Sequence, residues 1–353
     1  MSGLPSAPMA TKGPVLVIGA GLLGASIGLG LRRAGIDVQL DDASPAARAL
    51  ARDVGAGDLL HAGQDAPRLV VVAVPPDVTA DVVKAALIEH PDAFVTDVAS
   101  VKSVLLGELR HAVEQGELAP ADLARYVGGH PMAGRERSGA SAADSDLFSG
   151  RPWVVAPHEG SDPEAVLAVR TLAVDLGSTP ITMDTNEHDD AVALVSHVPQ
   201  VLSSLVAARL VEAPDGALAL SGQGLRDVTR IAASDPRLWA AILVGNAGPV
   251  AAHLAQVRDD LDVLVGALNK AAAEGPLALG AMAAASHTVS RGNAGVSRVP
   301  GKHGGARRSY GEVTVLVPDS PGELGRLFAT VGESGINSED FAMEHAPAQK
   351  VGL

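Results

Sequence analysis

Residues 14–18 (PVLVI) run straight into Gly19-Ala20-Gly21-Leu22-Leu23-Gly24, and the helix-patterned SIGLGLRRAG follows at once. Three glycines at G-x-G-x-x-G between an apolar run and a helix constrain the fold more than any other feature of the chain. The first allows a tight turn, the second a close approach of backbone to a ligand, and the third close packing of helix on strand. The motif is weak alone; its setting between a strand and a helix gives it meaning.

The pattern then repeats. Strand-like runs lie at residues 37–40 (DVQL), 68–76 (RLVVVAVPP), 93–98 (AFVTDV), 126–131 (YVGGHP), 152–157 (PWVVAP) and 179–183 (TPITM), with helical segments between most of them. Ser44 is placed to cap a helix opening at Pro45. Strands alternating with helices predict a parallel, Rossmann-type doubly wound α/β sheet over residues 14–184. From 185 to 286 the chain is Ala- and Leu-rich without strand-like runs, which predicts a separate all-helical domain. Its run VALVSHVPQVLSSLVAARLV is too apolar for one amphipathic face. Burial between two subunits would satisfy it, so a homodimer is expected. Residues 287–308 are Gly-rich and basic, the pattern of a flexible linker. Residues 309–353 predict a small α+β module with a Pro in the first turn of its helix. The tail, residues 1–13, reads as disordered and not as a secretory signal.

Composition closes off several classes. The net charge is −14, which disfavours nucleic acid as a partner. Cysteine is absent, so disulfides, thiolate catalysis and Cys-ligated metals are excluded. No apolar stretch reads as the roughly 20 residues of a membrane span. A soluble cytoplasmic enzyme without a metal fits these facts.

A glycine turn at a helix N-terminus offers free N–H groups and a favourable dipole to a pyrophosphate. Asp42 follows Gly24 by 18 residues, at the end of the second strand, where an acid bonds ribose hydroxyls and repels a 2′-phosphate. Asp41 is an equal candidate. NAD is the expected cofactor, held by Gly19, Gly21, Leu22, Leu23, Gly24, Asp41, Asp42, Val74 and Pro75. A flavin nucleotide or S-adenosylmethionine would suit the turn alone.

Three further segments fall at the ends of predicted strands, where such sheets bind ligands. They are Val74-Pro75-Pro76, TDVASVK (96–102) and GGHPMAGRERSG (128–139). His130, directly after a strand and among glycines, is poised for proton transfer near neutral pH. A loop histidine bonded to a backbone carbonyl is the plainer alternative. Ser100 suits either the site or the cap of a helix starting near residue 101, and Lys102 either an anion or solvent. Arg226 and Arg230 lie four apart, as on one helical face, either to hold an anion or to pair with surface acids.

GAGLLGASIGL, AVPP, DVASVK, GGHPMAG with Glu136 and Ser138-Gly139, SHVPQ, and GLRDVTRIAASDPRLW stand in this order. This set resembles the prephenate dehydrogenase family over roughly residues 14–285. The resemblance implies oxidative decarboxylation of prephenate, or of arogenate, with NAD in tyrosine biosynthesis. It implies His130 as the group that takes the proton of the reacting hydroxyl and Ser100 as its hydrogen-bonded partner. Arg230, with Arg226, would clamp a substrate carboxylate; His197 and Trp239 would line the pocket and Glu136 would shape it. The C-terminal module resembles a truncated ACT domain, a partial ferredoxin-like fold, with tyrosine as an effector at Asp319, Gly322 and Asn337. Two other readings compete. A related hydroxyacid or imine reductase would use a Lys or Asp of the helical domain and give HPMAG no role. A non-catalytic nucleotide-binding regulator would bind without turnover.

Overall fold

The computed structural model describes residues 10–134, 139–300, 313, 315, 317–318, 320–336 and 351–352. They divide into two compact units, Met1–Leu220 with Asp227–Ala255, and Ser221–Arg226 with Gln256–Leu353.

The first unit is built on one sheet. Its strands are β1 (Val15–Ile18), β2 (Val38–Asp41), β3 (Asp58–Leu59), β4 (Leu69–Val72), β5 (Phe94–Asp97), β6 (Tyr126–Pro131), β7 (Pro152–Ala156) and β8 (Thr179–Thr182). Their order is β3-β2-β1-β4-β5-β6-β7-β8, so the winding reverses between β1 and β4. The connecting helices are α1 (Leu22–Arg33), α2 (Pro45–Asp53), α3 (Pro76–Glu89), α4 (Ser103–Glu114), α5 (Pro120–Ala124) and α6 (Pro163–Asp175). Ser44 caps α2 as expected, its hydroxyl accepting from Ala47 N at 3.2 Å.

Period-two alternation along the buried strands feeds two cores. Val15, Val17 and Val71 pack with Ile27 and Leu31 of α1 and Leu172 of α6. Leu16, Val70 and Val72 face the other way, onto Val83 and Leu87 of α3 and Leu105 and Leu109 of α4. This is a doubly wound sheet, with one departure from the all-parallel expectation: β7 runs antiparallel to β6. Between those strands the chain forms only a 3-10 turn, Ala140–Ala142, among the described residues. A parallel neighbour needs a crossover element, so the chain returns antiparallel. With α6 as the crossover, β8 is again parallel to β7.

The helices that follow are α7 (Thr185–Val192), a π-helical turn at Ala193–His197, α8 (Val198–Ala208), α9 (Asp215–Leu218), α10 (Gln223–Thr229), a 3-10 turn at Arg230–Ala232, α11 (Pro236–Gly245) and α12 (Ala247–Glu274). Thr185–Ala208 is continuous, 24 residues long with a mean hydropathy of 1.6 in its most apolar window. This corrects the expectation that no run is long and apolar enough to span a membrane. Scattered His, Ser and Gln residues break the run in the sequence, but the helix carries through them. It also buries His188, Asp189 and His197.

In the second unit α13 (Ala281–Ser297) corrects the expected flexible linker, because residues 287–297 are helical. No proline interrupts them, the hydroxyl of Thr288 donates to Ala284 O, and Arg291 pairs with Asp260 of α12 at 3.2 Å. Gly292 and Gly295 weaken this helix without ending it. Further on, β9 (Val317–Pro318) pairs antiparallel with β10 (Val351–Gly352), and α14 (Glu323–Glu333) lies between them in sequence. That helix starts from Gly322 at φ +95°, so Pro321 stands outside it and not in its first turn. Asp319 and Asn337 lie outside the described residues, as do residues 1–9.

Two glycines hold α1 against the sheet. A Cβ on Gly19 (φ +107°) would lie 2.3 Å from Ala73 O, and one on Gly24 would lie 1.9 Å from Gly19 O. Gly24→Ala must push α1 away from the turn. It is expected to cost about 1–3 kcal/mol or more, seen as a lower midpoint in thermal unfolding. An unchanged midpoint would show that the turn can open without loss.

Candidate active site

The glycine turn meets the requirements of a dinucleotide in its own geometry. Gly21 is the N-cap of α1 and uses no side chain to cap it. A Cβ built on Gly21 meets nothing within 4 Å, so this is the open side of the turn from which a phosphate can reach the helix N-terminus. Leu22 and Leu23 open α1, and their half-buried side chains pack against the core. The two acids now separate. Asp42 Oδ2 accepts from Ala20 N and its Oδ1 from Ser44 N, both at 2.7 Å, so this carboxylate is fixed beside the turn. Asp41 is instead paired with Arg48 at 3.2 Å. Val74 and Pro75 follow β4, and Pro75 is the N-cap of α3.

His130 lies within β6 and not directly after the strand as expected, because the ladder to β7 runs on through it to Pro131; it is three strand spacings or about 14 Å from β1 and is 8% exposed. Its Nδ1 lies 2.8 Å from Nε2 of His188 on α7. His188 Nδ1 in turn donates to Asp189 Oδ1 at 2.7 Å. Asp189 also accepts from Lys102 N (2.9 Å) and Ser103 N (2.8 Å), and so caps α4 from another element. Burial, and then the charges of His188, Lys102 and His197, hold His130 well below the usual imidazole range. It is therefore neutral at pH 7. Burial raises Asp189, but hydrogen bonds from His188, Ser103 and Lys102 outweigh it and hold the carboxyl below its usual value.

Ser100 follows β5 and is half-buried, but no hydrogen bond joins it to His130. His130 Nδ1 is taken by His188, leaving Nε2 as the nitrogen that Ser100 or a ligand can address. Nor does Ser100 cap the next helix, since α4 starts at Ser103 and Asp189 fills that role. Lys102, expected to face an anion or solvent, is fully buried and ion-paired with Asp97. Tyr126 OH donates to the other oxygen of Asp97 at 2.7 Å.

His197 sits in the π turn, a feature often associated with functional sites. Its ring meets Trp239 of α11 edge to face, with centroids 6.0 Å apart. Asn246 Nδ2 donates to Asp189 O at 2.7 Å and lies 3.1 Å from His197 Nδ1. An amide N–H₂ only donates, so that ring nitrogen is the acceptor and His197 carries its proton on Nε2. Burial lowers its pKa to about 4.

Arg226 and Arg230 do not share one helical face. α10 ends at Thr229, Arg230 opens a 3-10 turn, and the two fall in different compact units. Both are exposed. Glu136 lies outside the described residues. Four participants escaped sequence reasoning: His188, Asp189, Asn246 and Tyr126. The signal for the first two was a His-Asp pair in the first turns of a helix that begins just where the sheet ends. It reads as ordinary helix-start acidity.

Two measurements check this site. Breaking a buried ion pair costs about 3–5 kcal/mol, so Lys102→Met is expected to lower thermal stability accordingly, and a neutral outcome would remove the pair from the structural core. His197 titrates at about 4 in the fold and near 6.5 when unfolded. The stability due to its neutral form is thus fully present above about pH 6.5 and is lost as pH falls toward 4. His197→Gln should flatten that acid limb of the melting curve, and an unchanged slope would assign the acid sensitivity elsewhere.

A family model described as prephenate dehydrogenase, nucleotide-binding domain, matches residues 27–181. A second, described as prephenate dehydrogenase, dimerization domain, matches residues 184–279. The chain is 38% identical over 337 residues to the Streptomyces niveus protein named probable prephenate dehydrogenase NovF, covering 94% of this chain and 90% of that one. Among solved structures, the prephenate dehydrogenase of Aquifex aeolicus in complex with hydroxyphenyl propionate and NAD+ aligns with a TM-score of 0.66. The identity is 26%, over 79% of this chain and 97% of the other. The Synechocystis arogenate dehydrogenase aligns with a TM-score of 0.61 at 26% identity, over 80% and 98%. With both domain models matched in sequence and nearly the whole length of a relative covered, the chain belongs to the prephenate dehydrogenase family.

Proposed function

We propose that the chain is an NAD-dependent prephenate dehydrogenase that oxidises and decarboxylates prephenate to 4-hydroxyphenylpyruvate. The observation that carries this reading is His130: neutral, with Nδ1 occupied and Nε2 bonded to no described residue, on the same sheet as the glycine turn. Bound NAD would supply the hydride acceptor. The residues of the chain would do the rest. Nε2 of His130 takes the proton of the ring hydroxyl as the carbonyl forms. Ser100, which follows β5, would share that oxygen. Loss of carbon dioxide then follows from aromatisation and asks for no further acid or base. His197, with its proton on Nε2, and Trp239 form an edge suited to a ring bearing carboxylates. Arg230 would add the bidentate charge that a carboxylate favours.

Arogenate is the second reading, supported by the likeness to the Synechocystis enzyme. Exposed Leu194, Val195, Leu205 and Val206, in the stretch that matches a dimerization domain, support a homodimer. A cytoplasmic setting suits small charged substrates and NAD. Tyrosine as an effector of the C-terminal module is the finer proposal. Of its three candidate residues, only Gly322 is among those described, as the N-cap of α14.

The direct experiment follows NADH formation with prephenate or arogenate, and with NAD or NADP. Turnover of prephenate with NAD is expected, and folded protein that turns over neither substrate would sink the proposal. His130→Asn should lose about 10²–10⁴-fold in kcat, the range for one acid–base group. Arg230→Gln should chiefly raise KM, and an unchanged KM would remove it from the clamp. Because His130 is held well below 6.5, kcat should stay level down through pH 6.5 and fall only at lower pH. A fall centred on pH 6.5 or higher would point to another base.

A further inference from the structure

His188 and Asp189 have no part in the chemistry assigned so far, yet both are almost wholly buried and directly behind the base. Their hydrogen bonds have a direction. A carboxylate only accepts, so the 2.7 Å contact with Asp189 Oδ1 puts a proton on His188 Nδ1. With that one ring proton, His188 presents a lone pair on Nε2, the atom 2.8 Å from His130 Nδ1. Only His130 can supply the hydrogen there. Its proton is therefore on Nδ1, and its Nε2 is left as an acceptor.

A second difficulty points to the same pair. An imidazole buried as His130 is resists becoming a cation, which is a poor property in a base. Burial acts most against positive charge on it, and charge on His188, on Lys102 just before α4 or on His197 in the π turn would act the same way. Asp97 is already engaged by Lys102 and by Tyr126. The carboxylate that meets the His188 ring is that of Asp189.

We propose that His188 and Asp189 are positioning residues that fix His130 as its Nδ1–H tautomer and receive, on His188, the proton that this tautomer passes on. The proposal rests on the dehydrogenase reading. In the step, the substrate O–H bond breaks and its proton bonds to Nε2 of His130, the electron pair staying with the oxygen. The Nδ1–H bond of His130 breaks in turn, and that proton bonds to Nε2 of His188. His130 ends neutral, and His188 ends as an imidazolium against the Asp189 carboxylate. One proton has left the substrate and one positive charge has appeared, on the histidine that has a counter-charge.

The test has one arm that does not depend on turnover. Protein labelled with ¹⁵N-histidine, with the His130 signals assigned by loss in His130→Asn, reports the tautomer by NMR. The expected result is Nδ1 protonated and Nε2 bare. Nε2 protonated in the resting protein overturns the proposal, whatever the activity. In the second arm His188→Gln keeps a carbonyl able to accept from His130 Nδ1–H but cannot hold a proton. It should fold, retain KM within about threefold and lose about 10²-fold in kcat, the lower end for a proton-transfer group. The acid limb of its kcat profile should also move, since a coupled pair has been replaced by a single imidazole. A wild-type kcat and pH profile in a folded His188→Gln would reduce His188 to packing and overturn the relay. Wild-type protein inactive with both substrates would instead count against the dehydrogenase reading, and the tautomer would still be decided by NMR.

Discussion

The Asp189 carboxylate is the join on which the first unit depends. It stands in the opening turns of the helical region, yet it caps α4 of the sheet region and holds the imidazole behind His130. Its backbone oxygen is taken by Asn246. A helix N-terminus presents unpaired N–H groups that favour negative charge. Supplying that charge from another element ties packing to catalytic geometry in one group. Whatever moves α7 relative to α4 also moves the support of His130.

Much of the sheet was legible in the sequence because its signals are local. The glycine turn, the β-branched run ending at Pro75 and the Ser44 cap each state their conformation within a few residues, and each is found as expected. The reversal of β7 was not legible, because it depends on a missing crossover and not on any motif. The helix over residues 287–297 was missed for a related reason: glycines and basic residues argue for a tether, but without proline they do not prevent a helix supported by a neighbour such as Asp260.

The candidate site was legible in outline. His130 was picked out by its place near a strand end, His197 and Trp239 by resemblance, and the last two are in ring contact. Lys102 was misjudged because a lysine after a strand is normally solvated; its partner Asp97 lies on β5 and also accepts from Tyr126 of β6. His188 lies 58 residues from His130 in sequence, and only the fold reveals that they meet. What results is a pair of neutral imidazoles set in opposite senses. One offers a bare nitrogen to a proton and the other offers a proton to an acceptor, with the sense fixed by an Asp-bound histidine in one case and by an amide in the other.

The π turn at Ala193–His197 sets a limit on how this stretch of chain can vary. An α-helix advances about 100° per residue, so the nine steps from His188 to His197 would put them on opposite sides of a regular helix. The wider turn takes up the excess, and one amide, Asn246, can then serve both Asp189 and His197. The wide turn and the number of residues are in this sense tied together. Regular winding over all nine steps would carry His197 to the far side of the helix from His188, whereas removing one residue leaves eight steps, about 80° apart, and needs no wide turn. A deletion here is absorbed by regular winding, while straightening the turn with every residue kept would part the two halves of the site.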